Sequence, residues 1–221
     1  IAIFASQKKR FRLAIALAVT LIDIAFFAAN MTKLEHGGYW SVILASVPFG
    51  VIILWMKGQR RVYHYLKPLD LETFLPGYEQ IYAKDRNIPG CALFFVGNPH
   101  RISPYIIHCV VRSRIVYVRN ILLSVRITAE PHGITTKMEM LGAGLESLVI
   151  EAGYKEELDI EKLIADEKIK YNVIFYGVED IVTESPVWRA FSFLKKNSPS
   201  FVQYYKIHPE KLHGVVTRVA M

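Results

Sequence analysis

The sequence predicts a membrane α-helical hairpin followed by an α/β (or α+β) cytoplasmic domain with a mixed sheet. Three observations carry this. Two apolar stretches, residues 13–31 and 39–56, are 19 and 18 residues long. As helices they reach about 27–29 Å, close to the roughly 30 Å hydrocarbon core of a bilayer. Basic runs at 8–12 and 57–61 stand at the outer ends of the pair, which by the positive-inside rule places both ends, and everything after Arg61, in the cytoplasm. Beyond Arg61, apolar runs of strand length alternate with segments of helical spacing. The expected division is a two-helix membrane unit over 1–61, a connector over 62–87 and a cytoplasmic regulatory domain over 88–221.

The first apolar stretch is hydrophobic all round from Ala14 to Val19, as a lipid-exposed or bundle helix should be, and holds a single acid, Asp23. Gly37 and Gly38 supply a flexible turn. The second stretch contains Pro48 and Gly50, which membrane helices tolerate, and carries Tyr39, Trp40 and Trp55 at its ends as an aromatic belt. Pro68, Pro76 and Gly77 argue against one long helix in the connector.

Pro89-Gly90 marks a turn, and the uninterrupted apolar run 91–96 reads as a strand buried on both faces. Gly97-Asn98-Pro99 ends it. A helix is predicted over 103–111, with Ser103 as N-cap and Pro104 in the first turn. Strands follow within 116–128, at 135–141 and at 146–154, the last two joined through Gly142-Ala143-Gly144. A short helix over 159–164 is capped by Asp159, and a strand spans 171–178. Helical spacing through Val187, Phe191 and Leu194 predicts a helix over 187–196, after Ser185-Pro186. A short helix at 201–205 and a strand over 212–219 close the chain.

The net charge of +7 invites a nucleic-acid reading, but its distribution opposes one. Residues 1–60 hold seven Lys/Arg against two Asp/Glu, whereas the remainder holds twenty against eighteen. Most of the excess therefore flanks membrane helices, and no basic stripe marks the soluble part. The two cysteines, Cys91 and Cys109, lie in apolar segments without a CxxC pair and read as buried free thiols. His36, His64, His100, His108, His132, His208 and His213 form neither HxxxH nor HExxH, so no metal cofactor is expected. No GxSxG, Walker or GxGxxG pattern is present, so no enzyme is predicted. The chain opens on Ile1 with no signal-peptide pattern, and it reads as the C-terminal piece of a longer protein.

Two groups of polar residues are candidates for function. Asp23 lies midway through a membrane helix, where an acid is costly unless paired or wet. It is either a proton-linked or gating carboxylate, or a packing partner for Asn30, Lys33 or residues of other helices. The second group is the loop Asn98, His100 and Arg101, between a buried strand and a predicted helix, where open α/β sheets bind ligands and helix N-termini favour anions. Arg101 is suited to a phosphate, and Asn98 and His100 to a base or ribose; the alternative is an ordinary turn. Arg112, Arg114, Arg119 and Arg126 form a basic series suited to a dianionic nucleotide or the inner membrane surface, or else a solvated face paired with Glu130 and Glu139. Arg112 and Arg114 are the nearest candidates for a second phosphate.

Asp23-Ile24-Ala25-Phe26-Phe27-Ala28-Ala29-Asn30-Met31-Thr32-Lys33, with Gly37-Gly38-Tyr39-Trp40, resembles the penultimate-helix signature of Kup-type potassium uptake permeases. Trp55-Met56-Lys57-Gly58 continues the resemblance, as do Ile88-Pro89-Gly90-Cys91-Ala92-Leu93-Phe94-Phe95, Asn98-Pro99, Gly153-Tyr154, Tyr176-Gly177-Val178-Glu179 and Tyr204-Tyr205-Lys206-Ile207-His208-Pro209. Tyr117, where the family often has His, and Pro76-Gly77 depart from it.

The resemblance implies a multi-pass cell-membrane secondary transporter of twelve helices that moves potassium inward, often with a proton. This chain would supply its last two helices and its cytoplasmic domain, with the ion site mainly in the other ten helices. That location favours a structural role for Asp23. Regulation by cyclic di-AMP, known in some members, raises the nucleotide reading of the loop. A homodimer through the cytoplasmic domain is expected from exposed edges of a mixed sheet. The competing reading is a membrane-tethered nucleotide-sensing module without transport.

Overall fold

The computed structural model describes residues 10–33, 37–84, 86–198, 205, 207 and 209–221. The basic residues Lys8 and Lys9, His36, His208 and most of the helix expected at 201–205 lie outside them. The chain divides into two compact units, Ile1–Met56 and Lys57–Met221.

In the first unit, α1 is Arg10–Met31, and α2, Tyr39–Leu66, begins there. α2 is long and apolar enough to cross a bilayer, and α1 carries the shorter apolar stretch Ile15–Met31. Their large side chains face outward: Leu21, Phe26, Phe27 and Leu44 are each about two-thirds exposed. This is the surface that lipid or other helices would cover. Hydroxyls on these helices bond back to the backbone, Thr20 to the Ala16 carbonyl at 2.7 Å and Ser46 to Ile43 at 2.6 Å, so neither is left unpaired in an apolar medium. The helix passes through Pro48 unbroken.

α2 runs ten residues beyond Met56, to Leu66, further than the sequence reading had it. Its last part belongs to the second unit, where Gly58 and Val62 are buried. The chain breaks at Lys67, with φ 42°, and Pro68. The segment expected as irregular connector then forms a two-residue strand, β1 (Leu69–Asp70), and a 14-residue helix, α3 (Leu71–Lys84), with Pro76 inside it. The proline costs about 3 kcal/mol in a helix interior. Burying Leu71, Phe74 and Tyr78 at positions i, i+3 and i+7 contributes roughly 1.5–3 kcal/mol each and outweighs it.

The sheet strands follow as β2 (Ile88–Phe95), β4 (Tyr117–Thr128), β5 (Ile134–Gly142), β6 (Leu145–Gly153), β7 (Val173–Val182) and β8 (Leu212–Ala220), while β3 (Arg101–Ile102) pairs only with β1. Between them lie α4 (Pro104–Ile107) with a π turn over His108–Arg112, α5 (Ile160–Asp166) and α6 (Pro186–Asn197). Ser103 occupies the N-cap of α4 without a side-chain bond. Asp159 caps α5 through the Lys162 N–H at 3.0 Å, as its sequence predicts.

The order across the mixed six-stranded sheet is β5-β6-β4-β2-β7-β8. All neighbours are parallel except β5 and β6. Alternate residues of β2 enter opposite cores. Ala92 and Phe94 pack with Phe74, Tyr78, Tyr105, Ile106 and Cys109. Cys91 and Leu93 pack with Ile121, Leu148, Ile150, Ile160 and Ile164. Both cysteines are buried and free, one in each core. Asn172 brackets the start of β2: its N–H donates to the Cys91 carbonyl at 2.8 Å, and its Oδ1 accepts the Cys91 N–H at 2.9 Å.

Candidate functional site

The sheet is doubly wound around β2. The chain leaves β2 for β4 and β6 on one side, then returns to β7 and β8 on the other. The carboxyl ends of β2 and β7 therefore flank the point where strand order reverses, and open α/β sheets place ligands there.

In this protein Tyr105 fills that crevice. Its hydroxyl donates to the Phe95 carbonyl at 2.6 Å and lies 3.3 Å from the Phe175 carbonyl, so one phenol ties the carboxyl end of β2 to the early part of β7. Burial pushes its pKa well up and keeps it a neutral donor. Gly177 makes room for the ring, since a Cβ there would meet Tyr105 Cδ1 at 2.8 Å. What remains is a cavity of about 170 Å³, lined in part by Phe95, Gly97, Ser103, Tyr176, Glu179 and Thr217. That is small beside the roughly 300–1,000 Å³ of ordinary ligand pockets.

The loop before it is self-contained. Asn98 Oδ1 accepts the His100 N–H at 3.0 Å, and the Asn98 carbonyl accepts the Arg101 N–H at 3.0 Å. Arg101 then enters β3 instead of leading straight into a helix. Its Nη1 donates to the Tyr63 hydroxyl at 3.3 Å, and its Nε lies 3.8 Å from Asp70. The Tyr63 bond first, and the Asp70 charge after it, raise the guanidinium pKa. α4 has four residues, too few for the anion-binding helix terminus that the sequence suggested. Arg101 does not line the cavity.

A second cavity, about 360 Å³, adjoins the first through Pro104 and Thr217 and is lined also by Ile107, His108, Arg112, Val216 and Arg218. His108 and Arg112 stand four apart, on one side of the π turn, opposite outward residues of β8. Arg218 keeps Asp180 as a neighbour at 3.7 Å. Arg114, in a left-handed conformation with φ 55°, lines neither of these two cavities. Arg119 pairs in a two-pronged contact with Glu146, at 2.9 and 2.7 Å, instead of Glu130 or Glu139. The candidate residues thus divide: Asn98, His100 and Arg101 shape a turn, and Arg112 faces a cavity. Tyr105, His108 and Arg218 were not singled out by the sequence reading. The i, i+4 spacing of His108 and Arg112 was the legible signal for one of them.

Asp23 and Asn30 lie seven residues apart on α1, on one face but about 10 Å along the axis. Among the described residues, Asp23 has no hydrogen bond or ion pair with Asn30 or Lys33; all three are exposed. Among the described residues, no group of three His, Cys, Asp or Glu could hold a metal ion.

An apolar helix of membrane-crossing length followed by this α/β domain is the architecture of a membrane protein with a folded domain after its last span. The K+ potassium transporter C-terminal domain matches residues 89–221, and the K+ potassium transporter integral membrane domain matches residues 1–60; the chain belongs to this potassium transporter family. It is 53% identical over 220 residues to a probable potassium transport system protein Kup of Geotalea uraniireducens, covering 99% of this chain and 36% of the relative. Kup 2 of Geobacter sulfurreducens is 52% identical and the Kup protein of Methanosarcina acetivorans 39%, with the same coverage. The chain therefore spans little more than a third of the length of these relatives. No solved structure matches it.

Proposed function

We propose that this chain is the C-terminal part of a Kup-type transporter that takes up potassium across the plasma membrane by secondary transport coupled to protons. The observation that carries the reading is the match of both halves, in order, to the membrane and C-terminal domains of one transporter family. The remaining ten helices supply most of the ion path. The test is rubidium uptake by the full-length protein in a strain lacking potassium uptake. Uptake that collapses with a protonophore supports the reading, and no uptake above the empty strain refutes it.

The unit after α2 faces the cytoplasm in this reading; the basic flank that follows the apolar stretch of α2 supports that orientation through the positive-inside rule. A thiol at Thr32→Cys is expected to label from outside intact cells, and one at His64→Cys is not. The reverse pattern excludes this orientation.

The domain's role is regulation, by a cyclic dinucleotide such as cyclic di-AMP. The second cavity supports this, because Arg112 and Arg218 offer two cations beside the edge strand β8. Pairing of β8 edges about a two-fold axis would make a homodimer and bring two such cavities toward one symmetric ligand. Calorimetry of the full-length protein with cyclic di-AMP tests it. Loss of a charge-assisted phosphate contact costs about 1.5–3 kcal/mol, so Arg112→Ala should bind on the order of 10–100-fold more weakly. Arg101→Ala tests the loop in the same way, and no heat with the unsubstituted protein ends the proposal.

A further inference from the structure

α6 (Pro186–Asn197) contains no acidic residue and carries Arg189, Lys195 and Lys196. Its inward side buries Phe191 and Ser192. The outward side shows Val187 and Phe193, 55% and 68% exposed, with Ala190 exposed between them. Arg189 and Lys196 flank that ridge, both exposed. Lys195 is turned instead to Glu179 at 3.3 Å. Glu184, just before the helix, is the nearest acid in sequence on its exposed side.

The place where this helix is docked gives the ridge its meaning. Phe191 packs on Gly58, and the Arg61 guanidinium lies 5.0 Å from the centre of the Trp188 ring. Gly58 and Arg61 belong to the basic flank at 57–61, which directly follows the apolar stretch of α2. Basic and aromatic residues in that position mark the headgroup layer of a bilayer. α6 is thus packed on residues 57–61 of α2, with an apolar ridge and positive charge exposed to solvent.

We propose that α6 is a membrane-surface helix: Val187, Ala190 and Phe193 sit in the headgroup layer of an anionic leaflet, and Arg189 and Lys196 contact lipid phosphates. Charge selects this occupant. An acid-free helix beside Lys57, Arg60 and Arg61 complements an anionic leaflet. A second copy of the same face would oppose like charges. The inference rests on α2 crossing a bilayer, and the test reports that separately.

The full-length protein is placed in nanodiscs of phosphatidylcholine with phosphatidylglycerol, bearing a bimane on one introduced cysteine. Cys91 and Cys109 are buried and give little background. Bimane at Phe193→Cys should lose fluorescence to headgroup-labelled quencher lipids, more so with phosphatidylglycerol than without it. Bimane at Val216→Cys, on β8, should keep its signal. Phe49→Cys, in the apolar part of α2, should be quenched by deep acyl-chain labels. Adding Arg189→Glu and Lys196→Glu should reduce the loss at position 193, and Val187→Cys gives the same reading from a neighbouring site.

Quenching at position 49 with none at 193 or 187 overturns the role of α6 alone. No quenching at 49 overturns the membrane reading and the proposal with it. A disulfide between two copies through position 193 assigns the ridge to a protein contact and also overturns it.

Discussion

Gly58 on α2 and Phe191 on α6 occupy one space: a Cβ on Gly58 would overlap the Phe191 ring. The aromatic ring, itself fully buried, uses the missing side chain as its seat. Gly58→Ala separates two opposing effects. Helix propensity alone would stabilise by roughly 0.5–1 kcal/mol, whereas forced overpacking costs about 1–3 kcal/mol. The overlap decides for a net loss, read as a lowered midpoint in thermal unfolding of the full-length protein. Phe191→Leu in the same chain should recover part of it, and a Gly58→Ala variant more stable than the parent would refute the packing.

Asn120 is 1% exposed, and its amide donates to the Tyr78 hydroxyl at 3.0 Å and to the Tyr117 carbonyl at 2.7 Å while its Oδ1 accepts the Tyr117 N–H. Asn120→Leu strands these partners inside the core and should cost about 1–3 kcal/mol. Tyr78→Phe removes one of the stranded groups, so the double variant should lose less than the sum of the two. Denaturant titration of the four proteins measures it, and strict additivity would count against the bond.

Tyr105→Phe keeps the ring in the crevice and removes the proton shared by the Phe95 and Phe175 carbonyls. The expected loss is about 1–2 kcal/mol, seen as faster amide hydrogen exchange at the end of β2 and around Phe175 in β7. Unchanged exchange there would mean that the hydroxyl does not tie the strands.

Burial raises Cys91 and Cys109 from 9.0 to about 11. The unfolded chain releases these protons first as pH rises. Their contribution to stability is therefore complete below pH 9 and is lost as pH climbs through about 11. A thiol reagent at pH 8 should leave both untouched until the protein unfolds. Rapid modification of the native protein would contradict the burial.

The strands were legible because burial on two faces writes an uninterrupted apolar run, as in Cys91, Ala92, Leu93 and Phe94. The caps were legible where chemistry is local: Asp159 bonds three residues ahead. α3 was hidden because Pro76 and Gly77 argue locally against a helix, and the winning term, burial of Phe74 and Tyr78 against β2 and β4, is tertiary. The extension of α2 to Leu66 was hidden in the same way, since only Phe191, more than a hundred residues on, explains a buried Gly58. The loop at Asn98 was found by position. Its contents were not, because the Arg101–Tyr63 bond joins segments that sequence spacing cannot relate.

The bracket between Asn172 and Cys91 joins residues 81 apart, and that separation sets an order of assembly. The hairpin of β5 and β6 needs only local closure, on the order of 1–10 μs. The seam between β2 and β7 waits for the whole intervening chain to fold back. Pulsed hydrogen exchange should protect Met138 before Ile174, and the opposite order would refute the sequence of events. Until the seam closes, the half-sheet β5-β6-β4-β2 presents one long, apolar, unpaired edge along β2. Substitutions at Asn172 would thus act through yield and aggregation during synthesis, before the sheet is complete.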